Sequence, residues 1–313
     1  MAELSRQHGD ALPFDRLAII GIGLIGSSIA LAARRFALAR RVVLFDISEE
    51  VRREAALLGL GDEIASSFAE CVRDADVVII CVPVGACGAV AAEIAPHLRQ
   101  GAIVSDVGSV KSAVIKSVVE CLPAHARFVP AHPVAGTENS GPASGFPSLF
   151  VNRWCILTPP HGADADAVSR IRAFWEGVGA NVEIMSADHH DLVLAVTSHL
   201  PHLIAYNIVG TADDLQSVTQ SEVIKFSAGG FRDFTRIAAS DPTMWRDVFL
   251  HNKDAVLEVL ARFNEDLSAL ARAIRWGEGD KLFELFSRTR AIRRGIVSQG
   301  QETAEPDFGR RKL

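Results

Sequence analysis

Paired cysteines, surplus cations and long unbroken apolar runs are all missing from this 313-residue chain, and each absence narrows what it can be. The five cysteines (Cys71, Cys81, Cys87, Cys121 and Cys155) are odd in number and form no CxxC pair. That argues against a disulfide framework and suits buried thiols in a reducing compartment. A net charge of −6 leaves no excess of cations for phosphates, so nucleic acid is not expected as a partner. Arg293 and Arg294 read as a solvated helix end, and Arg310, Arg311 and Lys312 as a loose tail. The polar start MAELSRQHGD lacks the basic and apolar regions of a secretion signal. Residues 17–33 are uncharged, but the run is short and broken by Gly21, Gly23, Gly26, Ser27 and Ser28, which speaks against a membrane span. A cytoplasmic protein without a membrane partner is expected.

What is present in the first half is an alternation of strands and helices. LAII (17–20) is a continuous apolar run, as in a strand buried on both faces, and it enters Gly21-Ile22-Gly23-Leu24-Ile25-Gly26 and a helical segment. Gly21 suits a tight turn, Gly23 a close backbone approach to a pyrophosphate, and Gly26 close helix–strand packing. The phosphates would sit on the free N–H groups at the start of the helix, those of Leu24, Ile25 and Gly26. The second strand, RVVLFD, ends at Asp46, 20 residues beyond Gly26, where a carboxylate can accept from both ribose hydroxyls and would repel a 2′-phosphate. NAD is therefore expected over NADP. A turn or N-cap role for Asp46, with Ser48 close behind, is the competing reading. ADVVIICVPV, GAIVSDVG, FVPAHPV and WCILTPP continue the strands of a doubly wound, mainly parallel sheet. Ligands bind beyond the carboxyl ends of such strands, so Val82-Pro83, the turn Asp106–Ser109 and His132 should gather beside the cofactor.

After NVEIM (181–185) the strand patterns stop and an all-α half begins. HHDLVLAVTSHLPHLIAYNIVGTA carries a wide apolar stripe, with a kink expected at Pro201. Asp241 and Pro242 form a clean helix start, and no Gly or Pro interrupts the run to about Trp276. A last helix over about 280–297 follows Gly277 and Gly279. The division expected is a flexible start over 1–15, a nucleotide domain over 16–186, a helical domain over 187–298 and a disordered tail over 299–313. So long a helix needs apolar partners, and the mean hydropathy of +0.20 leans the same way, towards a homodimer.

His189, His190, His199 and His202 share one helical segment. Without an acidic or thiol partner at ligand spacing they read as structural histidines rather than a metal site, and no metal is expected. The segment AGGFRDFTRIAASDP shows no clear helical period; in it Arg236 could clamp a carboxylate, or Arg232, Asp233 and Arg236 could form a surface network.

GIGLIG, DVGSVK (106–111), HPVAGTENSG (132–141), SHLPH (198–202) and GGFRDFTRIAASDPTMWRD (229–247) resemble, in order and spacing, prephenate and arogenate dehydrogenases. These are NAD(P)-dependent enzymes of tyrosine biosynthesis, and the match runs from about residue 16 to 297. The resemblance implies a Rossmann domain followed by a helical dimerisation and substrate domain. It implies His132 as the base on the ring C4 hydroxyl and Ser109 as a partner of that hydroxyl and of His132. His202, Ser198 and Arg236 would bind substrate, Arg236 through a carboxylate, while Glu138 and Asp233 would gate or organise the pocket. Trp245 would reach the neighbouring subunit's site. Some members of the family carry a regulatory domain or a fused chorismate mutase; with neither here, any inhibition by tyrosine is expected at the substrate site. Two other readings remain at this stage. One is a 3-hydroxyacid dehydrogenase on the same scaffold, which would want a lysine where this chain has histidines and Pro201. The other is a non-catalytic NAD-binding sensor.

Overall fold

Strands that are apolar on both faces must be covered on both faces, and a parallel sheet between two layers of helices does this. The computed structural model describes residues 14–215 and 228–298; the expected tail at 299–313 and all but the last two residues of the expected flexible start lie outside the described residues. The strands are β1 (Phe14–Ile20), β2 (Ala39–Phe45), β3 (Glu63–Ile64), β4 (Val77–Ile80), β5 (Ile103–Asp106) and β6 (Arg127–Phe128). They form one sheet in the order β3-β2-β1-β4-β5-β6, with every pairing parallel. Helices α1 (Leu24–Arg35), α2 (Glu49–Leu57), α3 (Phe68–Val72), α4 (Cys87–Ile94) and α5 (Ser112–Val119) connect them. Chain order reverses between β1 and β4, which opens a crevice at their carboxyl ends. This is a Rossmann fold.

Leu17, Ile19, Leu44 and Ile79 face α1 and α6 (Ala165–Gly177), whose Phe174 and Trp175 are fully buried. Ala18, Ile20, Val78 and Val104 face the opposite layer, where Cys71, Cys87 and Val114 of α3, α4 and α5 meet them. Trp245 and Val248 join this second layer from the helical half of the chain.

The segment FVPAHPV, expected as one strand, is two. Val129 still donates to the carbonyl of Val104 in the main sheet (2.9 Å), but the carbonyl of Pro130 accepts from Thr158 in another sheet (3.0 Å). Pro130 has no N–H to continue the first ladder, and the chain changes sheets there. The second sheet holds β7 (Ala131–Pro133), β8 (Trp154–Leu157) and β9 (Asn181–Ile184), with β7 antiparallel and β9 parallel to β8.

The helical half starts with α7 (Ala187–Leu194), a π-helical turn (Ala195–His199) and α8 (Leu200–Asp214). The kink expected at Pro201 is instead this π turn directly before it, which accommodates the ring and the missing N–H without breaking the helical path. By length and composition Ala187–Asp214 is apolar enough to cross a membrane. Its first half, however, buries His190, Asp191 and His199 against the rest of the protein. A short helix α9 (Gly229–Thr235) and a 3-10 turn (Arg236–Ala239) stand where no helical period was expected. None of the residues of α9 is buried, so no apolar stripe marks it in the sequence. The long helix expected from Pro242 to Trp276 is two, α10 (Pro242–His251) and α11 (Lys253–Trp276), divided at Asn252 (φ −109°, ψ 31°). The Asn252 side chain turns inward, and its bonds are described below. Helix α12 (Gly279–Ser298) follows Gly277, whose φ of +68° closes α11. Leu257, Ile274, Trp276, Phe283 and Phe286 stand exposed on α11 and α12, the last four by 56% or more.

The glycine turn yields a stability test. A Cβ on Gly26 would lie 2.0 Å from the carbonyl oxygen of Gly21, whereas one on Gly23 would meet nothing within 4 Å. Gly26→Ala should destabilise the chain by about 1–3 kcal/mol in urea unfolding. Gly23→Ala should change it by no more than about 0.5 kcal/mol. Equal losses in the two variants would contradict this packing.

Candidate active site

The β1–α1 turn supplies one wall of the crevice. Gly21 has φ +96°, and a Cβ there would stand 2.4 Å from the carbonyl oxygen of Cys81 at the end of β4. Gly23 is the N-cap of α1 and offers no side chain to the helix, so the first N–H groups of α1 (Leu24, Ile25 and Gly26) have no cap, and the space over Gly23 is open. That is a cradle for a pyrophosphate, with the positive end of a 12-residue helix behind it. Asp46 follows β2. Its Oδ2 accepts from Ile22 N and its Oδ1 from Ser48 N, both at 2.9 Å. The carboxylate therefore ties two turns together, yet each oxygen keeps a lone pair for a ribose hydroxyl. Val82 and Pro83 follow β4, and Val82 packs beside Gly21.

His132 sits on β7 and is 7% exposed. The residue before it is clamped. Asp106 Oδ1 accepts from Ala131 N (3.3 Å), and Lys111 Nζ donates to Ala131 O (2.7 Å). Asp106 and Lys111 also pair with each other, and both side chains are fully buried. Such a pair adds little net stability, but losing either member would strand a charge in the interior. The DVGSVK segment, expected as a turn carrying Ser109 beside the cofactor, also fixes the backbone that carries His132.

Behind His132 lies a chain of polar groups. His132 Nδ1 is 2.8 Å from His190 Nε2, and His190 Nδ1 is 2.8 Å from Asp191 Oδ1. Asp191 also accepts from the backbone N–H of Lys111 (2.7 Å) and Ser112 (2.9 Å), the uncapped start of α5. Asn252 donates to the carbonyl of Asp191 (2.8 Å) and approaches His199 Nδ1 (3.1 Å). This inward turn of Asn252 is what divides α10 from α11. His190, Asp191 and Asn252 were not singled out from the sequence as site residues. The adjacent pair His190-Asp191, inside an apolar stripe, was the signal available.

The other wall comes from the helical half. Trp245 stacks on His202, with ring centroids 3.6 Å apart at 22°. It is 6% exposed within its own chain. His202 Nδ1 donates to the carbonyl of Ser198 (2.9 Å), which leaves its Nε2 as an acceptor. Arg236 pairs with Glu138 at 2.7 Å, bringing the loop after β7 to the 3-10 turn. The alternative surface network of Arg232, Asp233 and Arg236 does not form: no ion pair joins them among the described residues, and Asp233 is exposed. Ser109 is half-buried on the turn after β5, beside His199, and no hydrogen bond joins it to His132 among the described residues. No group of three or more histidine, cysteine or acidic side chains is arranged for a metal among the described residues.

Burial disfavours the charged form of four histidines, His132, His190, His199 and His202. Burial first, then His190, Lys111 and His199, hold His132 well below the usual histidine range. Burial likewise lowers His190, against the pull of Asp191. His199 and His202 are each lowered to about 4, again chiefly by burial. For Asp191, burial acts upward as the largest single effect, but the bonds from His190, Lys111 and Ser112 outweigh it and the carboxyl titrates below its usual range. Below about pH 6.5 the unfolded chain takes up protons that the folded rings refuse, so stability must fall with falling pH. Each such histidine contributes up to about 1.4 kcal/mol per pH unit in that window. Urea midpoints at fixed protein concentration should drop between about pH 7 and about pH 5; a flat profile would mean that the native rings are protonated.

Comparison with known proteins agrees with this geometry. Residues 29–184 match the family model for the prephenate dehydrogenase nucleotide-binding domain, and residues 186–288 that for the prephenate dehydrogenase dimerization domain. The chain is 46% identical over 280 residues to a cyclohexadienyl dehydrogenase of Zymomonas mobilis, covering 90% of this chain and 95% of that one. It is 36% identical over 295 residues to a prephenate dehydrogenase of Bacillus subtilis, covering 94% and 79%. A crystal structure of Aquifex aeolicus prephenate dehydrogenase in complex with hydroxyphenyl propionate and NAD+ superimposes with a TM-score of 0.84 at 33% identity, covering 94% of this chain and all of that one. With both domain models matched in order across most of its length, the chain belongs to the prephenate dehydrogenase family.

Proposed function

We propose that this protein is an NAD-dependent cyclohexadienyl dehydrogenase. It oxidises and decarboxylates prephenate to 4-hydroxyphenylpyruvate, arogenate to tyrosine, or both. The observation that carries this reading is His132, a buried imidazole kept neutral, at the crevice of a nucleotide-binding sheet. Among the described residues its Nε2 makes no hydrogen bond, and it is not among the buried unpaired atoms.

The cofactor supplies an acceptor for the hydride that leaves ring C4. The N–H groups of Leu24, Ile25 and Gly26 would hold its pyrophosphate, and Gly21 and Gly26 give the turn its shape. Val82 and Pro83 would line its crevice, and Asp46 would accept from the ribose hydroxyls, which favours NAD over NADP. His132 Nε2 accepts the proton of the C4 hydroxyl, with the Ser109 hydroxyl as its partner there. Removing both hydride and proton makes C4 a ketone. The ring carboxylate then leaves as CO2, its bonding pair completes the aromatic ring, and His132 returns the proton to the phenolate. Orientation of two reactants and one base suffices, and the base contributes about 10²–10⁴-fold.

Arg236 takes a substrate carboxylate in place of Glu138, so Glu138 gates the pocket by exchanging one anion for another. His202, fixed by Trp245 and the Ser198 carbonyl, lines the substrate side with Ser198, and Asp233 organises the entrance. The apolar face of α11 and α12 pairs with a second copy in a homodimer. Five free cysteines suit the cytoplasm.

The test is NADH formation from prephenate and from arogenate, with NAD and NADP side by side. His132→Asn should lower kcat by about 10²–10⁴-fold with NAD affinity intact, while Gly23→Ala should weaken NAD binding in a stably folded protein. No turnover of either cyclohexadiene by NAD-bound wild type would overturn the assignment. Tyrosine, sharing the carboxylate that Arg236 would grip, should inhibit competitively with substrate; non-competitive inhibition would place its site elsewhere.

A further inference from the structure

The His132 reading leaves unexplained why two more titratable side chains, His190 and Asp191, are buried in line behind the base. With both rings neutral, their bonds allow one arrangement of protons. An ionised carboxylate only accepts, and Asp191 already accepts two N–H groups from the start of α5. His190 must then carry its proton on Nδ1, facing Asp191. A neutral His190 so protonated has a lone pair on Nε2. His132 must donate to that lone pair from Nδ1, and its own lone pair is left on Nε2. The free N–H groups of one helix thus determine, through two side chains, which nitrogen of His132 is basic.

We propose that Asp191 and His190 form a relay behind His132, which fixes its tautomer and shares the proton it takes from substrate. This rests on the reading of His132 as the base. When the hydroxyl proton reaches His132 Nε2, the Nδ1 proton of His132 passes to His190 Nε2. One positive charge results, on His190, beside the Asp191 carboxylate; on the return step the same protons move back. No proton is gained or lost, and no other reactant is needed.

The surroundings favour that shift of charge. Lys111 and Asp106 from the β5–α5 turn, His199 from the π turn and Cys155 from β8 face the pair. Burial keeps the Cys155 thiol neutral, and Lys111 is matched by Asp106. Asp191 hydrogen-bonds His190 and not His132, so the second ring is the better seat for the charge.

The relay makes His190 and Asp191 positioning residues, and two variants separate their duties. In Asp191→Asn the amide can donate to His190 Nδ1, which reverses the chain and puts a proton on His132 Nε2. In His190→Gln the amide oxygen still accepts from His132 Nδ1, so the tautomer is kept and only proton sharing is lost. Asp191→Asn should lower kcat by about 10²–10⁴-fold, and His190→Gln by about tenfold, each with little change in KM or NAD affinity. A proton inventory in mixed H2O and D2O should show two protons in flight in wild type and one in His190→Gln. Imidazole 15N shifts, which need no turnover, should report Nδ1–H on wild-type His132 and Nε2–H in Asp191→Asn. They also cover the case in which loss of the α5 cap unsettles that variant. Wild-type Nε2–H on His132, or wild-type kcat and inventory in His190→Gln, would overturn the relay. His132→Asn separates the two failures: if it is inactive while both relay variants behave as wild type, the base stands and the relay falls. If His132→Asn turns over normally, the base reading itself fails.

Discussion

The carboxylate of Asp191 lies on α7, in the helical half, and its hydrogen bonds end on the start of α5, in the nucleotide half. Two backbone N–H groups that no side chain of their own helix satisfies are closed by a charge from across the interface. Buried amides without partners cost about 1–3 kcal/mol each, so this junction strongly favours one registration of the two halves. That registration decides the rest of the site. It sets His190 against His132, and it brings Asn252 to the Asp191 carbonyl, at the break between two helices that would otherwise be one.

A second constraint works on the backbone. Asp106 and Lys111 hold the amide and carbonyl of Ala131, so His132 is carried on a strand gripped from both sides. The grip is an ion pair out of reach of water, a weak source of net stability but a firm source of geometry. Neutral histidines then follow from burial beside Lys111. The interior cannot take further positive charge without a partner, and such rings are suited to receive a proton rather than to carry one at rest. The substrate wall is looser. Arg236 and Glu138 are both about a third exposed, a pair open to competition from another anion.

Much of the fold was legible in the chain because its signals are local. Apolar runs such as LAII, glycines at 21, 23 and 26, and Pro242 after Asp241 act on their immediate neighbours. Where a signal was local but its consequence was not, the reading went astray. FVPAHPV read as one strand, because nothing local showed that the chain leaves for a second sheet at Pro130. Asn252 looked like one polar residue on a long helix because its partners lie 53 and 61 positions away.

The sequence by itself determined the alternation of strands and helices, the glycine turn, the acidic end of β2 and the helical character of the second half. Each of these follows from backbone preferences and periodicity within some 30 residues. Only the tertiary structure decided what surrounds His132. The links from His132 to His190, from Lys111 to Asp191 and from Arg236 to Glu138 span 58, 80 and 98 positions. Nothing local selects such partners; they are selected by the cost of leaving a buried donor, acceptor or charge unmatched when the two halves close.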